Sequence, residues 1–564
     1  MISISGNEWT EIKYNNLKVQ KVSQDYSLSK VISKIILNNN FTKEEIYSID
    51  NLINFKNPFL SDQEFNKSKE IIIKHIKKKK KILVIGDYDV DGSVSTAMFL
   101  NLFKNINHPF DFYIPDRNKD GYGISIDLFK KLKNRLTDLI IILDSGSKSK
   151  REIDYLNSLN IQTIIIDHHE IIKPYPKATV FINPKKNYDN KFLNNLCSST
   201  LTYFLIELIH KELKLDFQKE KYNLLSALAT ICDVMPLNNL NRYIIKKAIY
   251  DYHYKLFYFF DLILKKNKKN NELKVEDFAY LVGPILNSGG RLNKSNLAVE
   301  LMISDDKLMI EKIYNQLVEL NLKRKEIEKN ILLNLDFEKL KNDKSDILLI
   351  KDIKIPEGLI GIIAARCVEK FNKPTFVITQ SGTKFKGSAR SLININIGTI
   401  INNAVHLNIL ESGGGHKAAG GFSLKKDNFH KFKDYLNSLK ISSIENKKKY
   451  ISKISSTALN INFINNINKL EPFGNGNQKP LFLIENLKVF KPKIINKLHI
   501  SCLLKDNKNK FYDSIAFNVL NSKIGEYLLN YKKEIGVLAE LNISYKNNNM
   551  VNINIIDIIV KKPW

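Results

Sequence analysis

The stretch Lys81-Ile82-Leu83-Val84-Ile85-Gly86-Asp87-Tyr88-Asp89-Val90-Asp91-Gly92 decides how the rest of the chain is read. A short apolar run closed by a glycine predicts a buried strand of a parallel sheet. The segment after Gly92, Ser93 to Leu100, predicts a helix capped by Ser93. Asp87, Asp89 and Asp91 then fall at the carboxyl end of a strand, where open α/β sheets hold their ligands. Acids this close repel one another unless a cation neutralises them, and Mg2+ or Mn2+ suits an oxygen-rich cluster. A polar surface turn has a similar composition, so the stretch alone leaves both readings open.

The next apolar runs repeat the theme. Leu139 to Leu143 ends in Asp144-Ser145-Gly146, Ile161 to Ile166 in Asp167-His168-His169, and Thr179 to Ile182 in Asn183-Pro184. Helical patterns lie between them, which is the rhythm of a doubly wound parallel sheet. Three strands ending in Asp at one pole of a sheet favour a metal site over a chance turn. Tyr222 to Cys232 reads as an amphipathic helix stopping at Asp233; a lone acid there is ordinarily a solvated cap.

At 564 residues the chain is too long for one core. Its 43% hydrophobic content excludes a disordered chain, and a net charge of +28 favours a polyanionic partner, nucleic acid first. The abundance of Lys, Asn and Ile weakens that charge argument, because it biases the whole chain. Four cysteines without a CxxC pair exclude a zinc ribbon and a disulfide framework. No signal-peptide pattern or membrane-length apolar run is present, so a soluble cytoplasmic protein is expected.

Further along, Gly283 to Leu292 reads as a Gly-rich turn carrying Arg291, and residues 297–340 as a charged linking helix. A second α/β unit starts near Asp346. It contains a turn at Lys386 to Ser391 and the run Gly413-Gly414-Gly415-His416, whose amides could face an anion or whose small residues could serve packing. Five short strands after Ile444 predict a small barrel, with an OB-fold first and a β-sandwich second. Lys488, Lys491, Lys493 and Lys497, with Phe482, Phe490 and Tyr512, are its candidate single-strand contacts. The expected division is a helical lead-in (1–70), a doubly wound α/β domain (71–296), a linking helix (297–340), a smaller α/β substrate domain (341–442) and a β-barrel (443–564).

These residues resemble a known family. The Asp-rich turn, Asp144-Ser145-Gly146, Asp167-His168-His169 and Asp233, in this order, are similar to the DHH phosphoesterase superfamily. Gly86 to Gly92, Gly121-Tyr122-Gly123, Asp233 to Leu237 with Asn241-Arg242, and Asn287 to Leu292 resemble its RecJ branch of single-strand-specific 5′→3′ DNA exonucleases. Ser388-Ala389-Arg390 and Gly413 to His416 resemble the DHH-associated substrate domain, and Pro472-Phe473-Gly474 with the strands after it the branch's OB-fold.

The resemblance implies two Mn2+ or Mg2+ ions held by Asp89, Asp91, Asp144, His168 and Asp233, with Asp144 bridging and Asp87 either a ligand or a support. It implies His169 beside the scissile phosphate, as acid and charge stabiliser or as support for His168. Arg291, Arg390 and His416 would hold phosphates, with Ser388, Asn287, Gly414 and Gly415 in the same matching motifs. Arg117 and Tyr122 would meet the terminal nucleotide. Single-stranded DNA is the implied substrate, in DNA repair and recombination. A monomer is expected, with a single-strand-binding protein and a helicase as candidate partners. Two departures stand out: Cys197-Ser198-Ser199-Thr200-Leu201 replaces a glycine-containing turn, and Ile355-Pro356-Glu357 replaces a Trp-His pair. The rival readings are a DHH phosphatase for short oligonucleotides or small phosphates, and a non-catalytic DHH scaffold that binds DNA.

Overall fold

The computed structural model describes residues 1–560 except 118, 122, 187–192, 254–255, 270–272, 344, 392–394, 441–446, 532 and 545–549, and of residue 339 only the backbone. The chain divides into two units. One comprises Asn54–Met235 and Lys247–Ile444; the other comprises Met1–Ile53, Pro236–Lys246 and Glu445–Trp564.

The first unit is built on a five-stranded sheet in the order Phe110–Tyr113, Ile82–Ile85, Leu139–Leu143, Gln162–Ile166, Val180–Ile182, every pair parallel. Ile82–Ile85 and Leu139–Leu143 are buried at every position, as strands covered on both faces must be. Leu83, Ile85, Ile140, Ile142 and Ile165 pack against Leu128, Phe129, Ile153 and Leu156 on one face. The helices Val90–Asn105 and Ser198–Leu213 pack together on the sheet as well. Strand order reverses at Ile82–Ile85, whose successor Phe110–Tyr113 lies on one side and Leu139–Leu143 on the other. That switch point is the ligand crevice of an open α/β sheet, and Asp87 and Asp144 follow its two strands.

A second sheet in the same unit runs Ser412–Gly415, Ala419–Lys425, Lys384–Arg390, Thr375–Ser381, Leu348–Lys351. Only the last pair is parallel. The 28-residue helix Lys307–Asn334 lies within the expected linking segment.

Four local expectations are corrected. The cap of Val90–Asn105 is Asp89, not Ser93: its Oδ1 accepts from Gly92 N at 3.1 Å. Gly283–Arg291 is a helix, not a turn. Its glycines permit close approach, since a Cβ on Gly290 would lie 2.3 Å from the Tyr88 carbonyl oxygen. Ser388 and Arg390 lie on the strand Lys384–Arg390 and Gly413 to Gly415 on Ser412–Gly415; their small residues serve strand pairing and not turns.

In the second unit, the strands Ser452–Ile454, Phe482–Ile495, His499–Lys505, Phe511–Ala516, Val551–Ile559 and Ile535–Ile543 follow one another around a sheet, and Phe482–Ile495 pairs with Ile535–Ile543 to close it. This is the expected barrel. Ile32, Ile35, Ile36, Ile46 and Ile49 share its core with Phe482, Leu504 and Ile553. Glu8–Glu11 adds a parallel strand to Lys447–Tyr450. Residues 1–53 of the anticipated lead-in therefore fold with the chain's last 120 residues. Arg242, fully buried, donates to the Leu470 carbonyl at 2.8 Å and lies over the Phe41 ring at 4.8 Å.

Candidate functional site

Each strand end at the switch point delivers an acid. Asp87 follows Ile82–Ile85 and accepts from Tyr88 N at 2.9 Å. The turn is tight: a Cβ on Gly92 would meet Asp87 N at 2.4 Å, so only glycine lets the helix start against it. Asp144 follows Leu139–Leu143 with φ +58°, and its amide donates to the Ile166 carbonyl at 2.9 Å. A non-glycine residue in that left-handed region costs of order 1–3 kcal/mol and is held there by its surroundings. Asp233 ends the helix Lys219–Cys232. The next residue, Val234, is left-handed too, at φ +55°.

His168 stands at the centre. Its Nε2 lies 3.4 Å from Asp144 Oδ1, 3.4 Å from Asp233 Oδ2 and 3.8 Å from Asp91 Oδ2. Donor atoms fall within 4.8 Å of one another in three groups: Asp87, Asp89 and Asp144; Asp91, His168 and Asp233; and Asp144, His168 and His169. Burial and Asp89 raise Asp87 to about 7. Burial and Asp91 raise Asp89. Burial, then Asp91, Asp89, Asp87 and Asp233, raise Asp144 well above the carboxylate range. Asp233 is raised well above it by burial, Asp91 and Asp89. Burial, with His169 beside it, lowers His168 to about 4, which keeps its imidazole neutral at pH 7.

Five crowded carboxylates around a neutral imidazole fit hard divalent cations, which remove the repulsion that raises these pKa values. Asp91 accepts from Ser198 N through Oδ2 and from Ser199 N through Oδ1, both at 2.8 Å. Each oxygen keeps a second lone-pair position.

His169 has a different partner. Its Nδ1 lies 2.7 Å from Asp167 Oδ1. Burial works against its charge, but Asp167, Asp233 and Asp87 raise it to about 9. Asp167 also accepts from the His168, His169 and Ser147 amides. Against its burial, His169 and these bonds hold Asp167 well below the usual carboxylate range. Asp167 is thus a positioning acid that the sequence reading did not single out, although its place beside the two histidines was visible.

Cations gather beside the acids. The Arg117 guanidinium lies 5.0 Å from the Tyr88 ring, between Asp87 and Asp89 in sequence. Arg291 and Asn287 sit one turn apart on the helix that abuts Tyr88. Burial, with Arg117, Arg324 and Arg390 close by, lowers Arg291 to about 10. Burial and Arg117 likewise lower Arg390. Arg291 donates to the Gly358 carbonyl at 3.1 Å, and Arg390 to Ser388 Oγ at 3.1 Å and to the Ala389 carbonyl at 2.9 Å. These acceptors are neutral, so the guanidinium charges remain to be balanced by an anion.

His416 lies 6.1 Å from His169, ring to ring, with Nδ1 3.6 Å from Glu170 Oε1. Gly414 and Gly415 pair with Gly421 and Gly420. Among the other expected residues, Tyr122 lies outside the described residues.

A doubly wound sheet with Asp and His ligand atoms at its switch point, joined to a mixed α/β sheet, is the architecture of a DHH-type phosphoesterase. Comparison with known proteins makes this specific. Residues 81–232 match the DHH family, N-terminal domain, residues 346–440 the DHHA1 domain and residues 452–557 the RecJ OB domain. The chain belongs to the DHH family and has the domain set of its RecJ branch. It is 26% identical over 549 residues to the single-stranded-DNA-specific exonuclease RecJ of Bacillus subtilis, covering 94% of this chain and 68% of that one. It is 25% identical over 501 residues to the Escherichia coli protein of the same name, covering 83% and 87%. In fold it is similar to RecJ of Thermus thermophilus in complex with Mn2+ (TM-score 0.82, 20% identity, 99% of this chain and 80% of that one). An exonuclease RecJ bound to manganese superposes with TM-score 0.57 at 25% identity, covering 69% and 95%.

Proposed function

We propose that this chain is a metal-dependent exonuclease that hydrolyses single-stranded DNA from its 5′ end. The observation that carries the reading is a crowded carboxylate–imidazole cluster beside a group of buried arginines. The first needs divalent cations and the second needs phosphate. The RecJ-type barrel and the names of the relatives specify a single-stranded DNA substrate.

In this reading Asp89, Asp91, Asp144, His168 and Asp233 hold two Mn2+ or Mg2+ ions, with Asp144 shared between them. When bound, the ions supply Lewis-acid activation of water and neutralise charge on the phosphate. Asp87 supports the same cluster. Arg291, Arg390 and His416 bind phosphate oxygens, Ser388 steadies Arg390, and Arg117 on Tyr88 meets the end of the strand. Asn287, Gly414 and Gly415 line the same path. Asp167 holds His169 by Nδ1, which leaves Nε2 as the nitrogen that meets the leaving oxygen, as proton donor and charge stabiliser. The resemblance extends the reading to DNA repair and recombination in the cytoplasm. It also implies a monomer that works with a single-strand-binding protein and a helicase. No helix among the described residues is long and apolar enough to cross a membrane.

The test is a digestion panel with Mn2+: single-stranded DNA labelled at either end, duplex DNA, short RNA and pyrophosphate. Selective loss of the 5′ label from single-stranded DNA is expected. Turnover confined to short RNA or pyrophosphate would support the phosphatase reading instead. No turnover on any substrate would support the scaffold.

A further inference from the structure

The helix Ser198–Leu213 begins without a side-chain cap: Cys197 occupies that position and its side chain makes no capping bond. The first amides of a helix need acceptors from outside it. Here Asp91 supplies them, taking Ser198 N on Oδ2 and Ser199 N on Oδ1. Ser199 Oγ donates to the Asp91 carbonyl oxygen at 2.9 Å. Ser198 Oγ reaches a second strand end and donates to Asp144 Oδ1 at 3.1 Å. Both serines are fully buried. Asp91 follows one strand of the sheet and Asp144 its neighbour, so one helix start ties two acids that the sheet alone would leave independent.

We propose that Ser198 is a positioning residue for the metal centre, its hydroxyl fixing the Asp144 carboxylate relative to Asp91 so that both present their oxygens to the same ions. The inference rests on the metal-site reading and deepens it. Asp144 needs the help more than its neighbours. Its backbone is left-handed, and Asp91, Asp89, Asp87 and Asp233 all oppose its charge. A hydroxyl donor stabilises the ionised form and selects one orientation of the carboxylate. The hydroxyl lies where this chain departs from the glycine-containing turn of the resemblance, so Ser198 is a feature of the chain itself.

Partners that orient metal ligands typically contribute about 10–100-fold in metal affinity. Ser198→Ala removes the hydroxyl and keeps a good helix former at the first helical position. Calorimetric titration with Mn2+ should show at least one ion bound about 10–100-fold more weakly, with the metal-free melting temperature unchanged. Activity should return as Mn2+ is raised, so the defect appears in the Mn2+ requirement and not in turnover at saturation. Ser198→Thr keeps the hydroxyl and should keep native affinity. Ser198→Gly removes the same hydroxyl with a smaller side chain and serves if alanine is not accommodated. Native Mn2+ affinity in a folded Ala or Gly variant would overturn the proposal, as would a folded Thr variant as weak as Ala. If the unsubstituted protein binds no Mn2+, the metal-site reading itself fails, a separate outcome.

Discussion

Asp167 Oδ1 lies 2.7 Å from His169 Nδ1, and the same carboxylate accepts the amides of both histidines. The first acid of Asp167-His168-His169 therefore does not join the metal-facing acids. It sets the orientation and charge of the second histidine. Asp167→Asn should lower the His169 pKa of the metal-free protein from about 9, measured by NMR titration of the imidazole. Cleavage should fall about 10–100-fold, as for other partners that orient a site. An unmoved His169 titration would show that the charge comes from elsewhere.

Asp144→Ala should abolish cleavage without unfolding the protein. Four acids oppose the Asp144 charge, so the metal-free variant should melt no lower than the native protein. What it should lose is the rise in melting temperature that Mn2+ gives by binding the folded state. A variant still stabilised by Mn2+ to the native extent would rule Asp144 out as a shared ligand.

The strand ends were legible in the sequence because the signal is local: an apolar run, then Asp. Other parts were not. Phe110–Tyr113 is a four-residue edge strand, half-buried throughout, and its Asp111 is explained by the Arg135 guanidinium at 2.6 Å. The glycines of Gly283–Arg291 read as a turn because composition cannot distinguish a glycine that bends the chain from one that admits a neighbouring backbone. Of the three barrel aromatics singled out, Phe482 and Tyr512 are buried at 0% and 2% exposure, and only Phe490 reaches the surface. Ser198 carried no signal, because its partner Asp144 is 54 residues away.

Arg390→Ala should impair substrate use and spare the metals. Its guanidinium is held by Ser388 Oγ and the Ala389 carbonyl, with charge left for phosphate. Losing one charge-assisted hydrogen bond costs about 1.5–3 kcal/mol, a rise in KM on single-stranded DNA of roughly 10–150-fold at 1.4 kcal/mol per decade. Mn2+ titration should be unchanged. A normal KM would remove Arg390 from the phosphate path.

Asp557 sets an acid limit on the barrel unit. Its Oδ2 accepts from Ser3 Oγ at 2.7 Å, Trp9 Nε1 at 2.9 Å and Asn7 Nδ2 at 3.0 Å, and its Oδ1 from Ser5 Oγ at 2.9 Å. Burial opposes the charge, but Asn7, Trp9, Ser3 and Ser5 lower the pKa below the usual value. A depressed folded pKa gives stability that is present above the unfolded value, near 3.9, and lost as pH falls through the folded one. Asp557→Asn turns an amide toward these donors and should cost about 1–3 kcal/mol at pH 7. Denaturant unfolding should show the gap between variant and native protein closing as pH falls below about 3.9. A gap of constant size would mean that shape, not charge, matters there.

The last prediction concerns how the barrel holds DNA. Deleting residues 445–564 is a poor test, because Ile32, Ile35, Ile36, Ile46 and Ile49 would lose the core they share with those strands. Point variants keep it. Phe490 and Phe511 are 37% and 40% exposed, with ring centroids 5.6 Å apart, and Lys505 Nζ lies 5.4 and 5.6 Å from them. Two exposed rings sharing one ammonium form a surface on which a base can stack while its phosphate meets the cation. Stacking contributes about 1–3 kcal/mol per base, so Phe490→Ala with Phe511→Ala should weaken binding of a long single strand about tenfold or more. Metal binding and cleavage of very short oligonucleotides should hold. Lys505→Ala should reduce the slope of affinity against salt by about one phosphate contact. Fluorescence anisotropy with a labelled oligonucleotide at two salt concentrations measures both effects. Unchanged affinity in the folded double variant would mean that this face of the barrel does not carry the strand.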